Sequence, residues 1–253
     1  MAAPPATTTD AFLGGRLRLS QPRHGHRIGT DAMLLAAAAP PARRVVDMGA
    51  GVGAVGLAMA LRLPEAEVTL VERDAAIVAL ARHNVALNGL EARADVLEAD
   101  VFDAAAFHRG LPGLEAVDLV VTNPPFADAG ETRASPEPRR RAAHVLAGGT
   151  LDDWLRAVAR VLAPGGALLL IHRADALPAL LAACAGRFGG LAVRPVHATA
   201  GAAASRLLLA GRMGSKAPLV LLPPLVLHKE NGRFTEEAAA IHSGELTVAM
   251  LAP

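Results

Sequence analysis

The sequence predicts an α/β fold built on a mostly parallel sheet with helices on both faces, and three observations carry that prediction. From Arg43 onward, short aliphatic runs alternate with helix-length segments, the rhythm of repeated βα units. The first run, Val45-Val46-Asp47, breaks directly into Met48-Gly49-Ala50-Gly51-Val52-Gly53, a glycine-rich strand-to-helix turn. The last two runs, 191–196 and 206–211, follow one another without a clear helix between them. They predict a hairpin that inserts one antiparallel strand at the edge of the sheet.

Taken in order, residues 1–10 are Ala, Pro and Thr beyond Met1 and Asp10, and read as a loose leader. A short strand is expected over 16–20, stopped by Pro22. Thr30 or Asp31 is the expected N-cap of a helix over 32–39, which Pro40 and Pro41 end. Core strands follow at 45–47, 68–72, 92–97, 116–122 and 167–171, with helices at 53–63, 75–87, 151–162 and 176–185. Pro164-Gly165-Gly166 reads as the turn into the strand at 167. The polar stretch 129–141, with Arg133, Arg139, Arg140 and Arg141, reads as a loop. A length of 253 residues fits one large domain, 42–253, preceded by an extension over 1–41.

Composition narrows the function classes. Hydrophobic residues reach 52%, enough for a sizeable core, so wholesale disorder is excluded. The net charge of +1 favours no partner strongly, so a nucleic-acid enzyme must concentrate its positive charge locally. With no tyrosine, any stacking role falls to one of six Phe or to Trp154. Trp154 shares a helical apolar face with Leu151 and Leu155 and reads as core. Cys184 is the single cysteine, which suits a reducing cytosol, and no secretory or membrane-spanning segment is visible. A cytoplasmic location follows. His24, His26 and His144 lack a compact metal-ligand spacing, so no metal is expected.

Four signals fall at strand ends, where open parallel sheets bind ligands. The first is the Asp47-led glycine loop: its glycines let a ligand approach the backbone, and the spacing differs from the GxGxxG of dinucleotide enzymes. A carboxylate there suits a ligand carrying an ammonium group. The second is Glu72, followed by Arg73, an acid placed to accept hydrogen bonds from ribose hydroxyls; alone it does not separate NAD from S-adenosylmethionine. The third is Asp100, beside Val101 and Phe102, which suits either an adenine amine or a helix N-cap. The fourth and most specific is Asn123-Pro124-Pro125-Phe126. Its prolines remove N–H donors and leave carbonyls facing a substrate nitrogen, the Asn side-chain carbonyl adds a second acceptor, and Phe126 offers a stacking face. An amine whose lone pair is delocalised needs such acceptors to become a nucleophile.

In this order the four signals resemble the class I methyltransferase superfamily, and the Asn-Pro-Pro-aromatic motif resembles its amino-methyltransferases. Upstream, Arg27-Ile28-Gly29-Thr30-Asp31-Ala32-Met33-Leu34-Leu35, and the tail Asn231-Gly232-Arg233-Phe234-Thr235-Glu236, are similar to the bacterial valine-tRNA adenine-N6 methyltransferase family. The resemblance implies a Rossmann-like, seven-stranded sheet and an enzyme that uses S-adenosylmethionine to methylate adenine N6 in RNA, tRNA being the expected substrate. It implies that Asp47, Gly49, Ala50, Gly51, Gly53, Glu72, Arg73, Asp100, Val101 and Asn123 hold the cofactor, and that Asn123, Pro124, Pro125 and Phe126 form the catalytic motif. Arg27, Thr30 and Asp31, in the extension that covers the cofactor, are implied to face its methionine part or the target base. Phe126 stands where many members carry Tyr, which keeps stacking and loses a hydroxyl. Arg139 to Arg141 read equally as a solvated loop or an RNA clamp. Protein glutamine methylation uses the same acceptor motif but usually a separate helical N-terminal region, for which about forty residues leave little room. A module that binds cofactor or RNA without turnover competes with these enzyme readings, as does an NAD-dependent oxidoreductase.

Overall fold

Each core strand splits its residues between two faces, because side chains alternate along a strand. Val45, Leu119, Leu169 and Leu208 point into one buried cluster, and Val46, Val120, Leu168 and Leu209 into another. These faces belong to a computed structural model that describes residues 7–23, 27–103, 117–124, 145–146 and 149–250. The chain order is β1 (Thr7–Phe12), β2 (Leu17–Pro22), α1 (Thr30–Ala38), β3 (Arg44–Met48), α2 (Ala54–Arg62), β4 (Glu67–Glu72) and α3 (Ala75–Leu87). There follow β5 (Ala94–Glu98), β6 (Val117–Thr122), β7 (Val145–Leu146), β8 (Gly149–Thr150), α4 (Leu151–Val161) and β9 (Leu162–Arg173). The chain continues through α5 (Leu177–Cys184), β10 (Phe188–His197), β11 (Ala204–Met213), β12 (Val220–Leu221), β13 (Leu225–Val226) and α6 (Glu236–Ser243).

The main sheet runs β12-β10-β11-β9-β6-β3-β4-β5, with β13 also on β10. Strands β5, β4, β3, β6 and β9 are mutually parallel, and β11 is the antiparallel strand, inserted between β9 and β10. Seven long strands match the expected Rossmann-like sheet, and the two-residue β12 and β13 lengthen its far side. Helices α1, α2, α3 and α6 contribute buried residues to one face, and α4 and α5 to the other. No helix among the described residues is long and apolar enough to cross a membrane.

The structure corrects several local expectations. Residues 7–10, expected in a loose leader, belong to a strand: Thr7–Phe12 pairs antiparallel with Leu17–Pro22, because threonines suit a half-exposed strand. The N-cap of α1 is Gly29, without a side-chain cap; Thr30 opens the helix and Asp31 bonds Arg206 instead. Pro164-Gly165-Gly166 lies inside β9 rather than before it. Val117 pairs with Leu162 and Leu119 with Ala167, so the segment between them is a bulge. Helices α3 and α4 carry true caps: Asp74 accepts from the N–H groups of Ala76 and Ile77, and Thr150 and Asp153 form a capping box.

Candidate active site

Strand order reverses beside β3. The chain adds β4 and β5 on one side and then crosses back to add β6 on the other, so the crevice at the carboxyl ends of β3 and β6 is the switch point. Met48 and Thr122 are register partners there. Gly49 and Asn123, one residue further on, therefore open the two walls of the crevice.

The glycine loop turns on left-handed residues, and Gly51 (φ 55°) has nothing within 4 Å of where a Cβ would stand. That side of the loop is open to a ligand. Its other side is packed: Cβ atoms at Gly53 and Gly56 would meet the two methyl groups of buried Leu70. Sequence reasoning missed Gly56, although Gly51-x-Gly53-x-x-Gly56 is itself a GxGxxG spacing. The loop spacing therefore does not exclude a dinucleotide, and its third glycine serves close helix–strand packing.

Asp47 shares the parity of Val45, so its side chain turns toward α2, where Oδ2 accepts the Gly56 N–H at 2.8 Å. Only 2% of the residue is exposed. Burial pushes its carboxyl up to about 7, the Gly56 hydrogen bond opposes the rise, and the Glu72 charge adds to it. Glu72 closes β4, and its Oε2 accepts the Gly51 N–H at 3.1 Å while Oε1 accepts from Arg73 and Asp74. The second-strand acid thus sits against the open glycine. At the end of β5, Asp100 accepts the Phe102 N–H at 2.9 Å, lies 3.5 Å from the Arg73 guanidinium, and is followed by buried Val101.

Asn123 supplies the most telling feature. Its Oδ1 is buried and accepts no hydrogen bond among the described residues. A buried acceptor without a donor costs about 1–3 kcal/mol, and so marks a place where a ligand donor is expected. Pro124 beside it is buried. Pro125 and Phe126 lie outside the described residues, as do His24, His26, His144 and Arg133 to Arg141.

The N-terminal segment approaches the same rim. Asp31 pairs with Arg206 at 2.8 Å, and Arg206 is the register partner of Arg173 at the carboxyl end of β9. Thr30 is half-buried at the mouth of α1, whereas Arg27 is exposed and donates to Asp10 (2.8 Å) and Thr8 (3.4 Å). A second missed residue is Asn84, fully buried in α3. Its amide group donates to the carbonyls of Ser20 and Val52, and its Oδ1 accepts the Ser20 N–H. One side chain thereby ties β2 to the glycine loop. Asn84, a weak helix former inside a helical segment, was the available signal.

Taken together, the switch point holds an open glycine turn, a carboxylate against it and an amide carbonyl without a donor among the described residues. This set fits a cofactor with a ribose and an amino acid end beside an amine acceptor. Residues 24–187 match the family model described as methyltransferase small domain. The chain is 31% identical to the tRNA1(Val) (adenine(37)-N6)-methyltransferase of Aeromonas hydrophila, covering 89% of this chain and 92% of that one. It is 33% identical to the release factor glutamine methyltransferase of Cereibacter sphaeroides, over 63% of this chain and 57% of that protein. A crystal structure of a predicted O-methyltransferase from Agrobacterium tumefaciens superposes with a TM-score of 0.72 at 36% identity, covering 87% of this chain and 98% of that one. The chain belongs to the methyltransferase small domain family and is an S-adenosylmethionine-dependent methyltransferase.

Proposed function

We propose that the protein methylates the N6 amine of adenine in RNA, with tRNA as the substrate class. The observation that carries this reading is the buried Oδ1 of Asn123 at the switch point, which has no donor among the described residues. S-adenosylmethionine supplies an electrophilic methyl group on its sulfonium. Asn123 accepts one N–H of the target amine, and the Pro124 carbonyl takes the other, which favours a pyramidal nitrogen with its lone pair free to attack. The nitrogen–carbon bond would form as the carbon–sulfur bond breaks, S-adenosylhomocysteine would leave as a neutral thioether, and one amine proton would pass to solvent. Phe126 stacks the extruded base. Gly49, Ala50, Gly51, Gly53, Glu72, Arg73, Asp100 and Val101 hold the cofactor: Glu72 takes the ribose hydroxyls, and the open side of Gly51 admits its chain. Asp47 supports the loop from beneath through Gly56. Thr30 serves the methionine end, and Arg27, braced by Asp10, sets the segment leading into α1. On this reading residues 1–41 form the cofactor-covering extension and 42–253 the catalytic domain.

The identity over nearly the full length of the Aeromonas tRNA enzyme supports RNA over protein as the acceptor, since the release factor relative is matched over little more than half its length. A hydroxyl acceptor needs a base to take its proton, which an amide carbonyl does not provide. Incubation with tritiated S-adenosylmethionine, followed by nucleoside mass spectrometry of unmodified tRNA, tests the reading. N6-methyladenosine is expected, and Asn123→Ala should lower turnover at least about a hundredfold while keeping S-adenosylhomocysteine affinity within a few-fold. Methyl groups on a glutamine side chain, with tRNA untouched, would overturn it.

A further inference from the structure

The two walls of the crevice are joined by a hydrogen-bond chain that runs beneath the site. Trp154 and Thr122 both point into the cluster on the α4 face. The indole Nε1–H of Trp154 donates to Thr122 Oγ1 at 3.1 Å, and the Thr122 hydroxyl donates in turn to the Met48 carbonyl at 2.7 Å. Thr122 immediately precedes Asn123, and Met48 immediately precedes Gly49. The same indole lies directly beneath Gly49, where a Cβ would meet two of its ring carbons at 3.1 Å. Its ring also meets Phe102 edge to face at a centroid distance of 5.7 Å, and Phe102 donates its N–H to Asp100. One side chain thus touches the loops after β3 and β5 and the last residue of β6.

We propose that Trp154, acting through Thr122, is a positioning residue that fixes the spacing between the glycine loop and Asn123. It therefore fixes the approach of the acceptor nitrogen to the donated methyl. The inference rests on the reading of Asn123 given above. A relay of donors fits a positioning role better than apolar packing alone, which would use a Leu or Phe at the same volume without committing a buried hydroxyl and an indole N–H to each other. Displacement of a reacting group by about 1 Å lowers rates by about a hundredfold, so small shifts at these strand ends suffice.

The test compares Thr122→Val, Trp154→Phe, the double variant and Thr122→Ser. Each of the first two should lower kcat by about tenfold or more, with KM for S-adenosylmethionine within about threefold, as expected when orientation rather than binding is lost. The double variant should be no slower than the worse single variant, because both break one chain. Thr122→Ser, which keeps the hydroxyl, should restore kcat. A readout independent of turnover is at hand, because Trp154 is the sole tryptophan and there is no tyrosine. Its emission should shift to the blue in Thr122→Val and respond to S-adenosylhomocysteine in the parent protein. Unchanged kcat in both single variants, multiplying losses in the double variant, or a change confined to KM would overturn the proposal. If Asn123→Ala abolishes turnover while these variants do not, only the positioning role fails. If Asn123→Ala is itself active, the underlying reading fails.

Discussion

Replacing Gly56 by Ala tests whether the glycine loop owes its place to close packing of α2. The residue lies in a helix, so Ala gains about 1 kcal/mol of helix propensity over Gly. Against that gain, the new methyl overlaps Leu70 Cδ2, and stands 3.0 Å from Val68 Cγ1 and 3.2 Å from Asp47 Cβ. Leu70 is fully buried, and its other methyl lies against Gly53, so any shift away from the new methyl presses on packed neighbours. Overpacking of this kind costs about 1–3 kcal/mol. If α2 moves outward, the Gly56 N–H leaves the Asp47 carboxyl, a buried group whose lost donor costs a further 1–3 kcal/mol or so. The net loss is then about 1–5 kcal/mol, centred near 3, which corresponds to roughly a 6–12 °C fall in Tm for a chain of this size. Urea and thermal unfolding of Gly56→Ala, Leu70→Ala and the double variant measure it. Leu70→Ala alone should cost about 2–5 kcal/mol, and the double variant should fall short of the sum by at least about 1 kcal/mol. A Gly56→Ala protein as stable as its parent, or strictly additive losses, would refute the packing argument.

Two further outcomes follow from the same loop. The Asp47 carboxyl is pushed up to about 7 by burial, against about 3.9 in the unfolded chain, so the native state binds its proton more tightly. The resulting stability is full below about pH 4 and is lost as pH rises toward 7, so Asp47→Asn should flatten the dependence of Tm on pH across that window in cofactor-free protein. Asn84→Ala strands the Ser20 N–H and the carbonyls of Ser20 and Val52, and should cost about 2–4 kcal/mol by chemical denaturation. Hydrogen exchange should show lost protection at Ser20, and unchanged protection there would count against the tie between β2 and the loop.

The βα rhythm, the strand ends and the order of acids, glycines and Asn-Pro-Pro were all legible in the sequence, because each is a local property. Strand length, alternation and turn residues act over a few positions, and the chemistry of a parallel sheet gathers at one edge whatever the packing beneath it. The same local reading misplaced the leader, since a strand such as Thr7–Phe12 declares itself only through its partner. It also read Pro164-Gly165-Gly166 as a turn because a bulge depends on the register of the neighbouring strand.

Tertiary structure alone decided what lies underneath the site. Asp47 looks like a ligand in the sequence, yet strand parity turns its carboxyl to α2, and its raised protonation follows from burial that no window of residues reports. Gly56 sits inside what reads as an ordinary helix, and its necessity is set by Leu70 on another strand. Trp154 reads correctly as core from its helical face, but its indole N–H finds Thr122 only because α4 packs on the sheet face to which Thr122 points. That the Asn123 carbonyl meets no donor among the described residues is likewise invisible in the motif that contains it. Whether a polar atom is partnered depends on every chain segment that could reach it, and that is a property of the folded whole.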